Sequence, residues 1–145
     1  MTAVTARKLL IVEDDVGLQQ QLRWCFDGFD VVLADNREGA LGQLRRFEPA
    51  VVLLDLGLPP DPTNASEGLK ALDDILNLAP ATKVVVVTGN QERDHALKAV
   101  ARGAYDYYQK PVDADVLHLI VERAYHLHQL AREKAALQPT AFQGL

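Results

Sequence analysis

The chain has 145 residues, 48% of them hydrophobic, enough for one domain with a real core plus a short appendage. Its net charge is −5, from 15 basic and 20 acidic residues, and no basic run offers a footprint for nucleic acid. A single cysteine, Cys25, excludes an internal disulfide and fits a reducing cytoplasm, and no apolar run approaches the roughly 20 residues that span a bilayer.

Five short apolar runs alternate with stretches of helical period. The runs are Lys8–Val12, Asp30–Ala34, Ala50–Leu54, Lys83–Val87 and Ala104–Tyr108. The first, third and fourth are apolar without alternation, the pattern of strands covered by helices on both faces. Helical faces follow each run. The first carries Leu18, Leu22, Cys25 and Phe26, and the second Ala40, Leu41, Leu44 and Phe47. The third carries Leu69, Leu72, Ile75 and Leu76, and the fourth Ala96, Leu97 and Val100. The last joins Val116, Leu117, Ile120, Ala124 and Leu127. Asn36, Ser66, Asn90 and Asp113 are candidate caps, with Asp15 a further one, and Pro49 and Pro80 close two helices. Five strand–helix repeats with right-handed crossovers predict a doubly wound (βα)5 α/β domain with a parallel five-stranded sheet.

Sites in such sheets lie beyond the carboxyl ends of the strands. The first run ends in Glu13-Asp14-Asp15, the third in Asp55, the fourth in Thr88-Gly89 and the fifth in Gln109-Lys110-Pro111. Carboxylates gathered at one rim repel unless cations sit among them. Lys110 supplies one, and a hard oxygen-seeking ion such as Mg²⁺ is the natural second. An oxygen nucleophile, a metal, a fixed cation and a hydroxyl donor are what phosphoryl transfer asks for. Taken singly, each piece reads as an ordinary turn or strand exit. His95, His118, His126 and His128 show no metal-ligand spacing and read as surface residues.

The motifs Leu-Leu-Ile-Val-Glu13-Asp14-Asp, Leu-Leu-Asp55-Leu-Gly-Leu-Pro59, Val-Val-Thr88-Gly and Gly-Ala-Tyr-Asp-Tyr107-Tyr-Gln-Lys110-Pro111 resemble, in order and spacing, the receiver domains of bacterial two-component response regulators. The resemblance covers about residues 7–128. It implies a flavodoxin-like sheet of order 2-1-3-4-5. It implies that Asp55 is the phosphoacceptor, and that Asp14, Glu13, Asp55 and the Gly57 carbonyl hold Mg²⁺. Thr88 and Lys110 would contact the phosphoryl group, and Thr88 with Tyr107 would form the switch. Lys110–Pro111 would be cis. The partners implied are a sensor histidine kinase and a second copy of the chain, without direct contact to nucleic acid or membrane.

The overall wording is most similar to receivers of NtrC-type sigma-54-dependent activators. Within them, Gln-Leu-Arg-Trp24-Cys-Phe-Asp and Asp55-Leu-Gly-Leu-Pro-Pro-Asp-Pro resemble the response regulators of PEP-CTERM/exosortase systems. On this reading residues 1–128 form the receiver. Residues 129–145 form a helical extension and linker, stopped at Pro139, toward downstream ATPase and DNA-binding domains.

Two departures stand out. The loop between Asp55 and Gly68 is several residues longer than usual and carries three prolines, which suits a surface insertion or a lip over the site. Gly57 has no side chain to order an attacking water. A metal-dependent phosphohydrolase would want an Asp where Gly57 stands. A nucleotide- or flavin-binding module would want a glycine-rich loop where Glu13-Asp14-Asp15 stands.

Overall fold

The computed structural model describes residues 7–60, 64–89 and 92–143, with side chains through 137. Its elements are β1 (Lys8–Val12), α1 (Val16–Trp24), β2 (Asp30–Ala34), α2 (Arg37–Phe47), β3 (Val51–Asp55), α3 (Ser66–Leu78), β4 (Lys83–Thr88), α4 (Arg93–Ala101), β5 (Asp106–Gln109) and α5 (Ala114–Gln143). All pairings are parallel and the sheet order is β2-β1-β3-β4-β5. The doubly wound fold expected from the alternation is the one observed.

Side-chain alternation splits each central strand between two cores. Leu10, Val12, Val52, Leu54, Val84 and Val86 face α2, α3 and α4, meeting Leu44, Leu72 and Ala99. Leu9, Ile11, Val51, Leu53, Val85 and Val87 face α1 and α5, meeting Leu22, Leu117 and Val121. Each fully buried Leu or Val contributes about 1.5–3 kcal/mol relative to exposure, so the three unalternating runs become the rigid centre from which the site is hung.

Several local expectations need correction. β5 starts at Asp106, not Ala104, because the chain is still leaving α4 through Gly103 at φ +115, and Ala104 N–H still donates to Ala99 O. Tyr105 therefore precedes the strand. Ser66 is the first residue of α3 and not its cap; the chain enters through Ala65 at φ 60, without a side-chain cap bond. Asn90 lies outside the described residues. Asn36, Asp15 and Asp113 do cap, accepting from Gly39, Leu18 and Val116 N–H groups.

The α4 and α5 faces are turned relative to expectation. Ala96 and Ala99 are buried in α4 while Leu97 and Val100 are exposed, because small residues let the helix sit close to β4 and β5. In α5 the buried set is Leu117, Val121 and Ala124; Val116 and Leu127 face outward. Nor does Pro139 stop α5, which continues to Gln143. An interior proline removes one backbone bond and crowds a carbonyl, but both flanks can keep helical dihedrals. Of the histidines only His126 is exposed; His118 stacks on Phe26 at 6.0 Å between centroids, and His95 and His128 are half-buried.

Candidate functional site

The carboxyl ends of β1, β3, β4 and β5 meet at one rim. β1 runs straight into Glu13, whose N–H donates to Ala34 O at 2.9 Å and so fixes where the strand ends. Its side chain is folded inward, 1% exposed, accepting from Asp15 N–H at 3.1 Å, while Gln19 Nε2 binds its carbonyl. Asp14, next in sequence, is exposed. β3 delivers Asp55 as its last residue, 7% exposed, with Oδ1 accepting from Gly57 N–H at 3.1 Å. Carboxylate oxygens of Glu13, Asp14 and Asp55 all lie within 4.8 Å of one another.

Lys110 reaches this group from the end of β5. Its Nζ is 3.7 Å from Glu13 Oε1 and 3.7 Å from Asp55 Oδ1. Its backbone N–H donates to Thr88 O at 2.9 Å, which ties the lysine to the end of β4. The Lys110–Pro111 peptide is cis, as expected from the sequence. Thr88 is 1% exposed, and its Oγ1 is buried without a hydrogen-bond partner. Tyr107 is exposed on β5, opposite Val86.

Electrostatics at the rim are under-compensated. Burial, then the charge of Asp55, pushes the Glu13 carboxyl up to about 8; the Asp15 N–H and Lys110 only partly oppose this. Glu13 Oε1 has no hydrogen-bond donor. One ammonium at 3.7 Å is too little positive charge for three carboxylates. An all-oxygen donor set with a partnerless buried oxygen fits a hard divalent cation.

Three contributions escaped sequence reading. Tyr108, beside the residue singled out there, is buried; its hydroxyl donates to Pro111 O at 2.9 Å and accepts from Asp113 N–H, clamping the loop that carries Lys110. Its adjacency to Tyr107 on alternating strand faces was the available signal. Glu92 Oε2 accepts from Gly89 N–H at 3.1 Å and lies 3.7 Å from His95 Nδ1, so the exit of β4 is capped from the start of α4. Gly68 packs against the Leu56 backbone so closely that a Cβ would lie 2.3 Å from Leu56 O. In the long loop, Leu58 is buried and Pro59 and Pro60 are exposed; residues 61–63, where a lip would sit, lie outside the described residues.

Residues 9–122 match the response regulator receiver domain. The chain belongs to this family. The regulatory protein AtoC of Escherichia coli K12 is 35% identical over 135 residues, covering 92% of this chain and 28% of AtoC. The nitrogen assimilation regulatory protein NtrX of Azorhizobium caulinodans is 32% identical, with 92% and 29% covered. Among solved structures, NtrX from Brucella abortus in complex with ADP has a TM-score of 0.83 at 32% identity over 92% of this chain and 30% of that one. The receiver domain of the same NtrX gives 0.75 over 81% and 98%. The relatives are regulators of NtrC type, as the sequence resemblance implied. The receiver spans less than a third of the length of AtoC and NtrX. No helix among its described residues is long and apolar enough to cross a membrane.

Proposed function

We propose that this receiver is a phosphorylation switch in which Asp55 accepts a phosphoryl group from a sensor histidine kinase. The observation that carries this is the convergence of Glu13, Asp14 and Asp55 within 4.8 Å with Lys110 at 3.7 Å. An Asp55 oxygen attacks the phosphorus of the kinase phosphohistidine. The P–N bond breaks, the leaving imidazole takes a proton from solvent, and an acyl phosphate remains on Asp55. Lys110 neutralises charge on the phosphoryl oxygens. Glu13, Asp14, Asp55 and the Gly57 carbonyl would hold Mg²⁺, which supplies the remaining charge compensation when bound.

The partnerless Thr88 hydroxyl is free to donate to a phosphoryl oxygen. Its movement opens space toward which Tyr107 rotates, and the α4–β5–α5 surface changes. That surface already exposes Leu97, Val100, Tyr107 and Val116, which supports pairing between two copies. In the full-length protein, residues 1–128 act as the receiver and residues 129–145 lead to ATPase and DNA-binding domains, since relatives of NtrC type are more than three times as long. The switch works in the cytoplasm and touches neither nucleic acid nor membrane itself.

Intact mass after incubation with acetyl phosphate tests the reading. One phosphate should add in the presence of Mg²⁺, and none in EDTA or in Asp55→Asn. Labelling that persists in the variant or without metal would falsify it.

A further inference from the structure

A cavity lies at the opposite end of the sheet from the Asp55 rim, where β1, β3 and β4 begin. Its volume is about 650 Å³, in the range of small-molecule sites. It exists because α5 overshoots the strands: Tyr125, His128 and Arg132 form one wall from the overhanging turns. Leu44, Pro49, Ala50 and Leu78 supply apolar surface.

The charge around this cavity is one-sided. Lys8, Arg45 and Arg132 line it against a single carboxylate, Glu48, although the chain as a whole carries −5. Among the described residues none of these three cations makes a salt bridge; Lys8 rests over the Phe47 ring instead, 5.1 Å from its centroid. His128 adds an unsatisfied group, since its Nδ1 is shut off from solvent without a hydrogen-bond partner. Burial, then the charges of Arg132 and Lys83, hold its imidazole below the usual histidine range. Cations without counter-ions, an apolar floor and a partnerless imidazole nitrogen share one remedy, an anion with an apolar body.

We infer that this cavity binds a small amphipathic anion, an aryl or alkyl group ending in a phosphate or carboxylate, between α5 and the foot of the sheet. The head group compensates Lys8, Arg132 and Arg45, and the body covers the Leu44–Leu78 surface. The occupant ties the overhanging turns of α5 to β1 and β3, so its presence is felt on the helix that leaves the domain. The inference is independent of chemistry at Asp55, from which the cavity is separated by the length of the strands.

Phenyl phosphate is a suitable probe, titrated in EDTA into the ¹⁵N-labelled 145-residue chain, with inorganic phosphate and phenol as head-only and body-only controls. Saturable shifts are expected at Ala50, Thr82, His128 and Gln129, with the same affinity in Asp55→Asn. Because Arg132 is exposed, Arg132→Gln keeps the fold, which the dispersion of its spectrum verifies. Its binding should weaken about fivefold or more, the size of one ion pair. The His128 ring should titrate at higher pH with the probe bound, against the fixed charges of Arg132, Lys83, Lys8, Arg45 and Glu48. The inference is overturned by absence of saturable shifts, or by shifts centred on Asp14, Asp55 and Lys110. Unchanged affinity in both Arg132→Gln and Lys8→Gln, or equal binding of inorganic phosphate, overturns it as well.

Discussion

Gly68, in the first turn of α3, lies against the carbonyl of Leu56, the residue that follows Asp55. A methyl group at Gly68 would stand 2.3 Å from Leu56 O and 2.5 Å from its Cα. Both atoms are backbone, so neither can swing aside. Gly68→Ala should therefore cost about 1–3 kcal/mol, the usual penalty of overpacking. Urea unfolding should show a lower midpoint with an unchanged slope. The displaced Leu56 should also slow labelling of Asp55 by acetyl phosphate. A variant as stable as the parent would show that α3 can move away freely.

The raised Glu13 carboxyl gives stability a pH dependence. In the folded chain the group titrates near 8, against an ordinary 4.5, so between these values the native state binds more protons than the unfolded one. Stability then falls as pH rises from about 4.5 toward 8 and levels off above it, a sign opposite to that of a salt-bridged carboxylate. Glu13→Gln should flatten this slope. Mg²⁺ should stabilise the parent more at pH 8 than at pH 6, because more of Glu13 is then deprotonated. Thermal melts at the two pH values, with and without Mg²⁺, measure both. Equal Mg²⁺ stabilisation of Glu13→Gln and the parent would remove Glu13 from the ligand set.

The ends of β1, β3 and β4 were legible because they follow apolar runs without alternation, the pattern of strands buried on both faces. The rim of Glu13, Asp14, Asp55, Thr88 and Lys110 could be listed before any coordinates, since topology alone places strand exits together. Helix orientation was less legible. Val116 and Leu127 fit the same helical period as Leu117 and Ala124, and only packing against β3 and β4 decides which neighbours face in. Roles played by backbone groups were hidden altogether. Nothing in the letters of Gly89 and Glu92 reveals an N–H donated to a carboxylate across a loop. The clamp from Tyr108 to Pro111 and Asp113 is likewise a matter of distance, not composition.

That clamp makes a prediction of its own. Tyr108→Phe deletes a donor and an acceptor while keeping the ring in place against the α5 side of the sheet. Leaving Pro111 O and Asp113 N–H unpaired should cost about 1–3 kcal/mol. Lys110 hangs from the same loop, so phosphorylation by acetyl phosphate should slow while the stoichiometry stays at one phosphate per chain. A normal rate in Tyr108→Phe would mean that the Lys110 N–H bond to Thr88 O holds the lysine by itself.

Substitution of Thr88 should separate chemistry from signalling. Its hydroxyl makes no hydrogen bond, so removing it leaves no partner stranded, and Thr88→Ala should fold with near-parental stability. Labelling at Asp55 should survive. The phosphate-dependent change in the Tyr107 ring environment, followed by ring-proton NMR, should be lost, because a ligand moves a side chain only through contacts that differ between the two states. Retention of the Tyr107 response in Thr88→Ala would disconnect the two residues.

The longest element makes the last prediction. α5 runs 30 residues, Ala114–Gln143, about 45 Å at 1.5 Å per residue, well past the end of the sheet. Beyond residue 128 none of its described side chains is buried, so its stability there must come from another surface. Leu127, Leu130 and Leu137 are exposed, the last 77% so, and fall at spacings of three and seven, the start of a coiled-coil seam. Ile120, seven residues before Leu127, and Val116, four before Ile120, lie on the same line and extend it onto the domain. A seam of two helical copies would place these leucines against one another and leave Arg123 and Lys134, which interrupt the line, to limit its strength. The chain should therefore associate weakly, with a monomer–dimer equilibrium that phosphorylation displaces toward the dimer. Light scattering on the 145-residue chain, on a form ending at residue 128 and on Leu130→Glu/Leu137→Glu should show the tightest pairing in the first, with only the weaker contact through Leu97, Val100 and Tyr107 left to the other two. If all three are monomeric at high concentration, phosphorylated or not, the exposed leucines serve some contact other than self-association.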